Sequence, residues 1–303
     1  MAQTVTNTPA ARIPRSSTRE GFSVTDWGFL GGIALMWGSS FLLIEIGLES
    51  FRPAVITVLR LLFGAGTLVW FARARTPVDR ADLRSIFLLA FFWMATPFIL
   101  FPLAQQWIDS SLAGMINGGV PVFAAIVASI VARRLPGRRQ ILGFALGLAG
   151  VLVVCWPAVQ HARSTALGVV LVLVATISYG IAINIAFPLQ QKYGSLPVLL
   201  RAQAIALGLV AIPGVMALPD SSFSWPSFAA MVPLGVLGTG LAFVLMTTLV
   251  GRVGAARGSI AVYFIPVVAV ALGALFRAEA IVTMSLIGTA MVIVGAVLAS
   301  RAE

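Results

Sequence analysis

The chain is poor in charged residues. Only 10% of its 303 residues are charged, 59% are apolar, and the mean hydropathy is +1.02. A soluble domain needs many more charges to keep its surface in water, so these values exclude a soluble globular protein. Lipid must therefore surround most of the chain.

Cysteine and histidine are nearly absent. Each occurs once, as Cys155 within an apolar run and His161 in a short connection, which excludes a disulfide framework and a Cys/His metal site. We interpret Cys155 as a small buried apolar side chain. No nucleophile with a base and no pair of carboxylates is assembled within the apolar runs, and no phosphate-binding Gly-rich Lys-Ser/Thr motif occurs. The sequence thus indicates no enzyme, no metal, no cofactor and no coupling to ATP.

Basic residues outnumber acidic ones by 20 to 10, but they do not gather on one domain, face or tail. They lie between apolar runs, so the net charge of +10 reflects membrane topology and not nucleic-acid binding. Because short basic connections resist translocation, both termini are expected in the cytoplasm. The side predicted to be cytoplasmic carries 15 of the 20, namely Arg12, Arg15, Arg19, Arg73, Arg75, Arg80, Arg84, Arg133, Arg134, Arg138, Arg139, Lys192, Arg252, Arg257 and Arg301.

Ten apolar runs are long enough to cross a bilayer, which takes about 20 residues in a helix. Backbone polar groups in lipid must pair within the segment, so each run is predicted to be a helix. The predicted spans are 26–47, 53–72, 85–104, 110–132, 140–157, 165–187, 196–217, 228–249, 254–276 and 281–300.

The predicted organisation is a cytoplasmic tail (1–25) followed by two units of five helices (26–157 and 165–300). The polar tail precedes a run that is long enough to span, so we expect a retained helix and not a cleaved signal peptide. The connections are short, which leaves no room for a catalytic module outside the membrane.

The two units are related by an internal duplication. An offset of 145 positions matches one proline and two glycines, which carry more information than matches between the abundant leucines. The pairs are Pro121–Pro266, Gly143–Gly288, Gly150–Gly295, Leu89–Leu234, Phe98–Phe243 and Leu100–Leu245, and an offset of 142 adds Trp37–Tyr179, Gly38–Gly180 and Gly66–Gly208.

An odd number of spans per unit makes the second unit enter the membrane from the opposite side. The predicted fold is therefore an all-α membrane protein of ten helices, built as two inverted five-helix repeats. Inverted repeats are common in secondary transporters, because two related halves can exchange outward-open and inward-open shapes around one central site. Some channels and membrane enzymes are also duplicated.

One segment near the start of the first repeat resembles a known family. Trp37-Gly38-Ser39-Ser40-Phe41, followed by Pro53 and Leu59-Arg60, resembles the EamA family of the drug/metabolite transporter superfamily. The ten-span plan, Tyr179-Gly180 and the Pro121 and Pro266 helices are also similar to that family, over about residues 26 to 300. The resemblance implies a pocket between the halves that opens to one side at a time, and the export of amino acids or other small metabolites.

Ionisable side chains within a span are costly and mark candidate functional sites. Glu45 lies near the end of the first span and Arg60 about two turns into the second, so an ion pair between them is one interpretation. The others are that Arg60 positions an anionic group of the substrate and that Glu45 is a proton-coupling site. Arg201 is expected to extend to the cytoplasmic interface.

Pro121 and Pro266 lie near the centres of the fourth and ninth spans, where each is expected to kink the helix and free a carbonyl beside a cavity. Asn117 and Tyr263 precede them by about one turn and are expected to face the same cavity. Aromatic and polar residues within other spans complete a pocket that suits an amphipathic or zwitterionic solute. The predicted pocket residues are Trp37, Ser40, Arg60, Trp93, Thr96, Asn117, Pro121, Tyr179, Asn184, Gln203, Phe243, Tyr263 and Pro266.

These features predict a secondary-active transporter that exports a small metabolite across a bacterial inner membrane by alternating access. Its expected partners are a small-molecule substrate, membrane lipids and, through Glu45, protons. A flippase for a lipid-linked substrate is the alternative, and a pocket open sideways to lipid would distinguish it. A channel is a further alternative, which saturable flux would exclude. The sequence leaves the cargo and the oligomeric state open.

Overall fold

A computed structural model of the chain describes residues 23–133, 135–160, 163–254, 258 and 260–300. Most of the predicted tail lies outside the described residues, as do some residues that the sequence analysis singles out. These are Arg12, Arg15, Arg19, Arg134, His161, Arg257 and Arg301.

The described residues form helices and no strands, and the helices make up ten apolar spans. The first, second, fifth, sixth, seventh and tenth spans are single helices: Val24–Leu48, Pro53–Val69, Arg138–Val159, Arg163–Tyr193, Ser195–Met216 and Thr283–Ser300. The third, fourth, eighth and ninth are interrupted. Their helices are Leu83–Leu89 and Thr96–Ala104, Ser110–Asn117 and Val120–Ala132, Trp225–Gly235 and Ala242–Val253, and Ile260–Tyr263 and Ile265–Arg277.

The predicted all-helical fold of ten spans is confirmed. Eight helical segments reach the length of 18 residues, and the shorter apolar helices Pro53–Val69 and Thr283–Ala299 complete the ten. The connections 70–82, 135–137, 194 and 254 lie at the same end of the helices, and most of the described basic residues lie in them or within two residues of them. We call this end the basic face, and the end with connections 49–52, 105–109, 217–224 and 278–282 the opposite face.

The third and eighth spans are interrupted by π-helical turns. Ala90–Ala95 and Val236–Leu241 adopt this wider turn, which we call the first and second π segments. The two segments occupy matching positions in the two repeats. Such turns are rare within α-helices and occur mostly at functional sites. No sequence pattern predicts these turns.

The fourth and ninth spans break where kinks were predicted. The first helix of the fourth span ends at Asn117, and the next begins at Val120 with Pro121 in its first turn. Pro266 has the same place in the ninth span, after a break at Phe264. A proline in the first turn of a helix removes no intrahelical hydrogen bond, because that N–H has no partner there. The prolines therefore start new helices, and the expectation that they kink continuous ones is corrected.

The fifth and tenth spans pack along two pairs of glycines. A methyl group added to any of the four would lie 2.7 Å from the carbonyl oxygen of its partner, in the pairs Gly143–Gly295 and Gly150–Gly288. The duplication matches Gly143 with Gly288 and Gly150 with Gly295. Each glycine therefore contacts not its own repeat equivalent but the equivalent of the other glycine on its helix. A two-fold axis between inverted repeats requires this exchange. The close approach itself depends on residues without side chains.

The hydrophobic core is continuous at the opposite face and divided at the basic face. One cluster of buried residues joins all spans except the seventh in the half near the opposite face. In the other half, one cluster joins the second, third, sixth, seventh and eighth spans, and a separate one joins the first, eighth and ninth. Trp37 lies at the edge of all three. The boundary between these two clusters runs from the basic face to the centre of the molecule.

The glycine contact generates a stability prediction. Replacing Gly288 by Ala should lower the Tm, because its methyl group would overlap Gly150 O and overpacking costs about 1–3 kcal/mol. The matched control is Gly208→Ala, where nothing lies within 4 Å of the new methyl group and the helix propensity of Ala is about 1 kcal/mol better. Thermal unfolding in detergent compares them. Equal Tm values for the two variants would contradict the predicted packing.

Candidate functional site

The second π segment connects three other spans by hydrogen bonds to its main chain and one side chain. Trp37 Nε1 of the first span donates to Gly238 O over 3.1 Å. Arg60 Nε of the second span donates to Thr239 Oγ1 over 2.8 Å, and Gln203 Nε2 of the seventh donates to Thr239 O over 2.9 Å. Thr239 and Gln203 are fully buried. These residues lie at the middle of the molecule, where the divided part of the core begins.

The π turn explains why these acceptors are available. In a π turn the main-chain N–H groups bond to carbonyls five positions earlier and not four. Some local carbonyls can therefore accept hydrogen bonds from side chains of other helices. Thr239 Oγ1 itself donates to Leu234 O, five residues earlier, over 3.1 Å. Glycines bring the spans close, since a methyl group on Gly64 would lie 2.7 Å from Thr239 Cγ2, and one on Gly235 would lie 2.9 Å from Arg60 O.

Arg60 is a buried cation that forms no ion pair with the described residues. Its exposed fraction is 6%, and its Cζ atom lies 3.8 Å from the centre of the Phe98 ring. Only Nε donates a hydrogen bond within the described part of the chain. A charge this deep in a membrane protein is costly unless an anion or several acceptors neutralise it. The two terminal nitrogens have no acceptor among the described residues, and an anionic partner would supply one.

Aromatic rings surround this region. Phe243 makes edge-to-face contacts with Trp37 and Trp93, with centroids 5.4 and 5.5 Å apart. Tyr179 stacks on Phe101 at 6.0 Å and lies within electrostatic range of Arg60. The duplication matches Trp37 with Tyr179, so the two repeats place aromatic rings on equivalent helices at the centre. The terminal nitrogens of Arg60 have no acceptor among the described residues, and an apolar aromatic wall lies next to them. This arrangement suits a small molecule with one anionic group and an apolar body.

Seven of the predicted pocket residues gather here. Ser40 belongs to the group, because a methyl group on Gly238 would lie 2.8 Å from Ser40 Oγ. The group consists of Trp37, Ser40, Arg60, Trp93, Tyr179, Gln203 and Phe243.

The other predicted pocket residues lie elsewhere or only border this group. Asn184 Nδ2 donates to Ala124 O and Gly180 O, so it joins the fourth and sixth spans. Pro266 packs against Gly118 where the fourth and ninth spans break. The rest are Thr96, which follows the first π segment, and Asn117, Pro121 and Tyr263, which flank the two breaks. Asn117 Oδ1 is buried without a hydrogen-bond partner among the described residues.

The proposed ion pair between Glu45 and Arg60 is wrong. Glu45 Oε1 lies 3.5 Å from Arg277 Nε, and Arg60 bonds to Thr239 instead. The first span places Glu45 near its end at the opposite face, whereas Arg60 lies more deeply in the second. Arg201 donates to Thr76 O over 2.7 Å at the basic face, in keeping with the expected interfacial position.

Acidic residues close the opposite face. Glu279 accepts hydrogen bonds from Ser110 N, Ser110 Oγ and Ser111 N, at 3.1, 2.5 and 2.9 Å, where the helix of the fourth span begins. Arg277 Nη2 lies 2.5 Å from Glu49 Oε1, in addition to its contact with Glu45. These contacts attach the end of the ninth span to the first and fourth. We call this group of contacts the opposite-face latch.

Packing beneath the latch agrees with this closure. Ser110–Asn117 and Ile265–Arg277, the halves of the fourth and ninth spans at the opposite face, pack against each other. The described parts of their other halves, Val120–Ala132 and Ile260–Tyr263, make no comparable contact. Burial, with a smaller effect of the Glu279 charge, raises the pKa of Asp109 in the adjacent connection. Among the described residues, the fourth and ninth spans are therefore in contact at the opposite face and separated at the basic face.

The sequence did not identify Thr239 as a site residue, and Phe98, one of the aromatic residues within spans, was left out of the predicted pocket. Thr239 is a polar residue between Gly238 and Gly240 in a span, which is the signal that could have identified it. Phe98 is the repeat partner of Phe243, so symmetry could have drawn attention to it. Gln105 was also missed, and its Nε2 atom donates to Phe41 O over 2.8 Å.

Comparison with protein families gives one match over nearly the whole chain. A model of the EamA-like transporter family matches residues 27–156 and again residues 166–301. The two matched segments correspond to the two halves of five spans.

Individual relatives match over most of their length. The chain is 28% identical to the uncharacterized transporter YdfC of Bacillus subtilis, over 86% of both chains. It is 26% identical to the uncharacterized inner membrane transporter YedA of Escherichia coli, over 82% of this chain and 81% of the relative. A protein of Streptantibioticus cattleyicolor that is named a probable terminal-alkyne amino-acid exporter is 27% identical, over 88% and 90%.

A solved structure has the same fold. A crystal structure of a protein superimposes with a TM-score of 0.63 over 91% of this chain and 97% of the other, at 16% sequence identity. This likeness supports the ten-helix arrangement.

The opposite-face latch generates a prediction about opening. In a Cys155→Ala background, which removes the only cysteine, a cysteine at the buried position Ala113 lies one turn below Ser110 and should react slowly with a maleimide. Glu279→Gln should speed this reaction several-fold, because a neutral amide accepts more weakly from the three donors.

The control for this measurement is Glu49→Gln. Glu49 is more exposed than Glu279, and Arg277 is its only ion-pair partner among the described residues. Exposed ion pairs contribute little to stability. Glu49→Gln should therefore change the rate of maleimide labelling much less than Glu279→Gln does. A rate unaffected by Glu279→Gln would show that the latch does not hold the opposite face closed.

Proposed function

Because this chain belongs to the EamA-like transporter family, we propose that it exports a small metabolite with a carboxylate group and an apolar body. The chain is a multi-pass membrane transporter, and its relatives are transporters, one of them of the bacterial inner membrane. We propose secondary-active transport by alternating access at the site around the second π segment. The name of the Streptantibioticus relative, an amino-acid exporter, supports a substrate of this class.

The observation that carries the proposal is that the terminal nitrogens of the buried Arg60 have no acceptor among the described residues. A buried guanidinium whose terminal nitrogens have no partner among the described residues can bind a carboxylate with two parallel hydrogen bonds. Trp37, Trp93 and Phe243 supply an apolar wall next to it. A substrate with a single carboxylate fits this site better than a phosphate, which would need more cations.

The asymmetric closure supports alternating access. Two inverted repeats can close either end of the molecule by the same kind of motion, and here the opposite face is closed. We propose that the basic face is cytoplasmic, because its connections carry the excess of arginine. The described arrangement is then inward-open, and the export step requires the opposite-face latch to release.

We also propose that protons drive the exchange through Glu45. One carboxylate oxygen of Glu45 contacts Arg277, and the other is buried without a partner in the described part of the chain. Glu45 lies beside Ser110 and Glu279 as well. Its protonation would weaken the contact with Arg277 and so favour opening of this face.

The central prediction concerns selectivity for a carboxylate. Purified wild-type protein should bind L-phenylalanine more tightly than L-phenylalaninamide, measured by thermal shift and by uptake into proteoliposomes. Arg60→Met should weaken L-phenylalanine binding about 10- to 100-fold, because hydrogen bonds to a charged group contribute about 1.5–3 kcal/mol. It should leave the amide nearly unaffected, and Arg60→Lys should be intermediate.

Arg201→Met is the matched control, because Arg201 is also a cation of a span but donates only to main-chain carbonyls near the basic face. It should keep the preference for the acid. If wild-type protein bound neither compound, or if Arg60→Met kept the same preference, the proposed substrate class would be wrong. Saturable uptake distinguishes a transporter from a channel, and uptake that depended on a lipid-linked headgroup would favour a flippase.

A second prediction tests proton coupling. In proteoliposomes with an imposed pH gradient, L-phenylalanine uptake should depend on that gradient. Glu45→Gln should remove the dependence while exchange without a gradient continues, because the amide cannot titrate. Glu49→Gln should keep the dependence. Gradient-driven uptake in Glu45→Gln equal to that of wild type would exclude this role of Glu45.

A further inference from the structure

We infer that Thr239 is a positioning residue of the substrate site, which sets the direction in which Arg60 presents its terminal nitrogens to a carboxylate. The inference rests on the proposed function and adds to it a residue that does not itself contact the substrate. It follows from the hydrogen bonds of one hydroxyl group and from the planar shape of the guanidinium.

The hydroxyl of Thr239 has a fixed direction. Its single proton is donated to Leu234 O over 3.1 Å, which leaves its lone pairs to accept. Arg60 Nε donates to that oxygen over 2.8 Å. A serine or threonine at this position can make both bonds, whereas valine has the same shape and can make neither.

Two contacts define the plane of the Arg60 guanidinium. The Phe98 ring lies against its face, with Cζ 3.8 Å from the ring centre, and Thr239 holds its Nε edge. Because the guanidinium is planar and its five N–H groups form a rigid fork, fixing the face and one edge fixes both terminal nitrogens. No other side chain of the described residues accepts from Arg60. Without Thr239 the fork would be free to rotate over the ring.

The support of Thr239 comes from other spans. Gln203 Nε2 donates to its carbonyl, and Gly64 provides the space that its methyl group fills. Thr239 and Gln203 belong to the second repeat and Arg60 to the first, so the bond crosses between the repeats. The π turn orients the Thr239 side chain in the second repeat. Through the hydrogen bond to Nε, it therefore also orients the Arg60 guanidinium of the first repeat.

The test compares Thr239→Val with Thr239→Ser, using L-phenylalanine and L-phenylalaninamide as probes. Thr239→Val should raise the half-saturating concentration of L-phenylalanine about tenfold, which corresponds to loss of one hydrogen bond to a charged group. The maximal rate and the affinity for the amide should change little. Thr239→Ser should restore values near those of wild type. A role in packing alone would predict equal losses for both probes and the larger loss in the smaller serine.

Thr248→Val is the matched control, since Thr248 lies in the same span and its hydroxyl donates only to Val244 O in its own helix. It should not change the preference for the acid. If Thr239→Val and wild type prefer L-phenylalanine over its amide equally, the positioning role is excluded.

A measurement without any probe tests the bond itself. The Tm losses of Arg60→Met and Thr239→Val should be less than additive in the double variant, because each removes the same interaction. Additive losses would overturn the inference even if neither probe bound. Selectivity that depends on Arg60 but not on Thr239 would overturn this inference alone, whereas selectivity independent of Arg60 would overturn the proposed function.

Discussion

The need to pair every backbone polar group in a medium without water governs this structure. A continuous α-helix meets that need within itself, which is why six of the ten spans are uninterrupted helices. A departure from the α-helix is tolerated only where another group supplies the missing partner. The second π segment is such a place, because Trp37 and Gln203 donate to its carbonyls. The constraint thus brings polar side chains of separate helices to one point, and that point is the candidate site.

The parts of the fold that depend on composition could be predicted from the sequence. Long uncharged runs indicate spans, and the matched prolines and glycines indicate two inverted repeats. The exchanged contacts Gly143–Gly295 and Gly150–Gly288 then follow from symmetry, because a close approach of helices in lipid needs small residues at equivalent positions. About half of the proposed pocket also followed from aromatic and polar residues placed within spans.

The remaining parts depend on contacts between helices, which sequence spacing does not determine. Glu45 and Arg60 are close along the chain, but the first helix carries Glu45 to the opposite face, where Arg277 of the ninth span meets it. The π segments have no distinct composition, since the first reads Ala-Phe-Phe-Trp-Met-Ala and the second Val-Leu-Gly-Thr-Gly-Leu. The second accepts hydrogen bonds from partners on other spans, such as Gln203. The role of Thr239 is invisible until those partners are in place.

The symmetry of the fold makes its exceptions informative. If the repeats were identical, the states closed at either face would have equal free energies, and nothing would select the one described here. The latch breaks this equality, because the duplication matches Arg277 with Ala132 and Glu279 with Arg134, so the first repeat lacks the guanidinium and the carboxylate of the latch at those positions. A transported solute can shift such an equilibrium only by its difference in affinity for the two states. In the proposed mechanism, opening of the opposite face is therefore driven by protonation of Glu45 beside the latch or by a substrate that binds Arg60 more tightly in the other state.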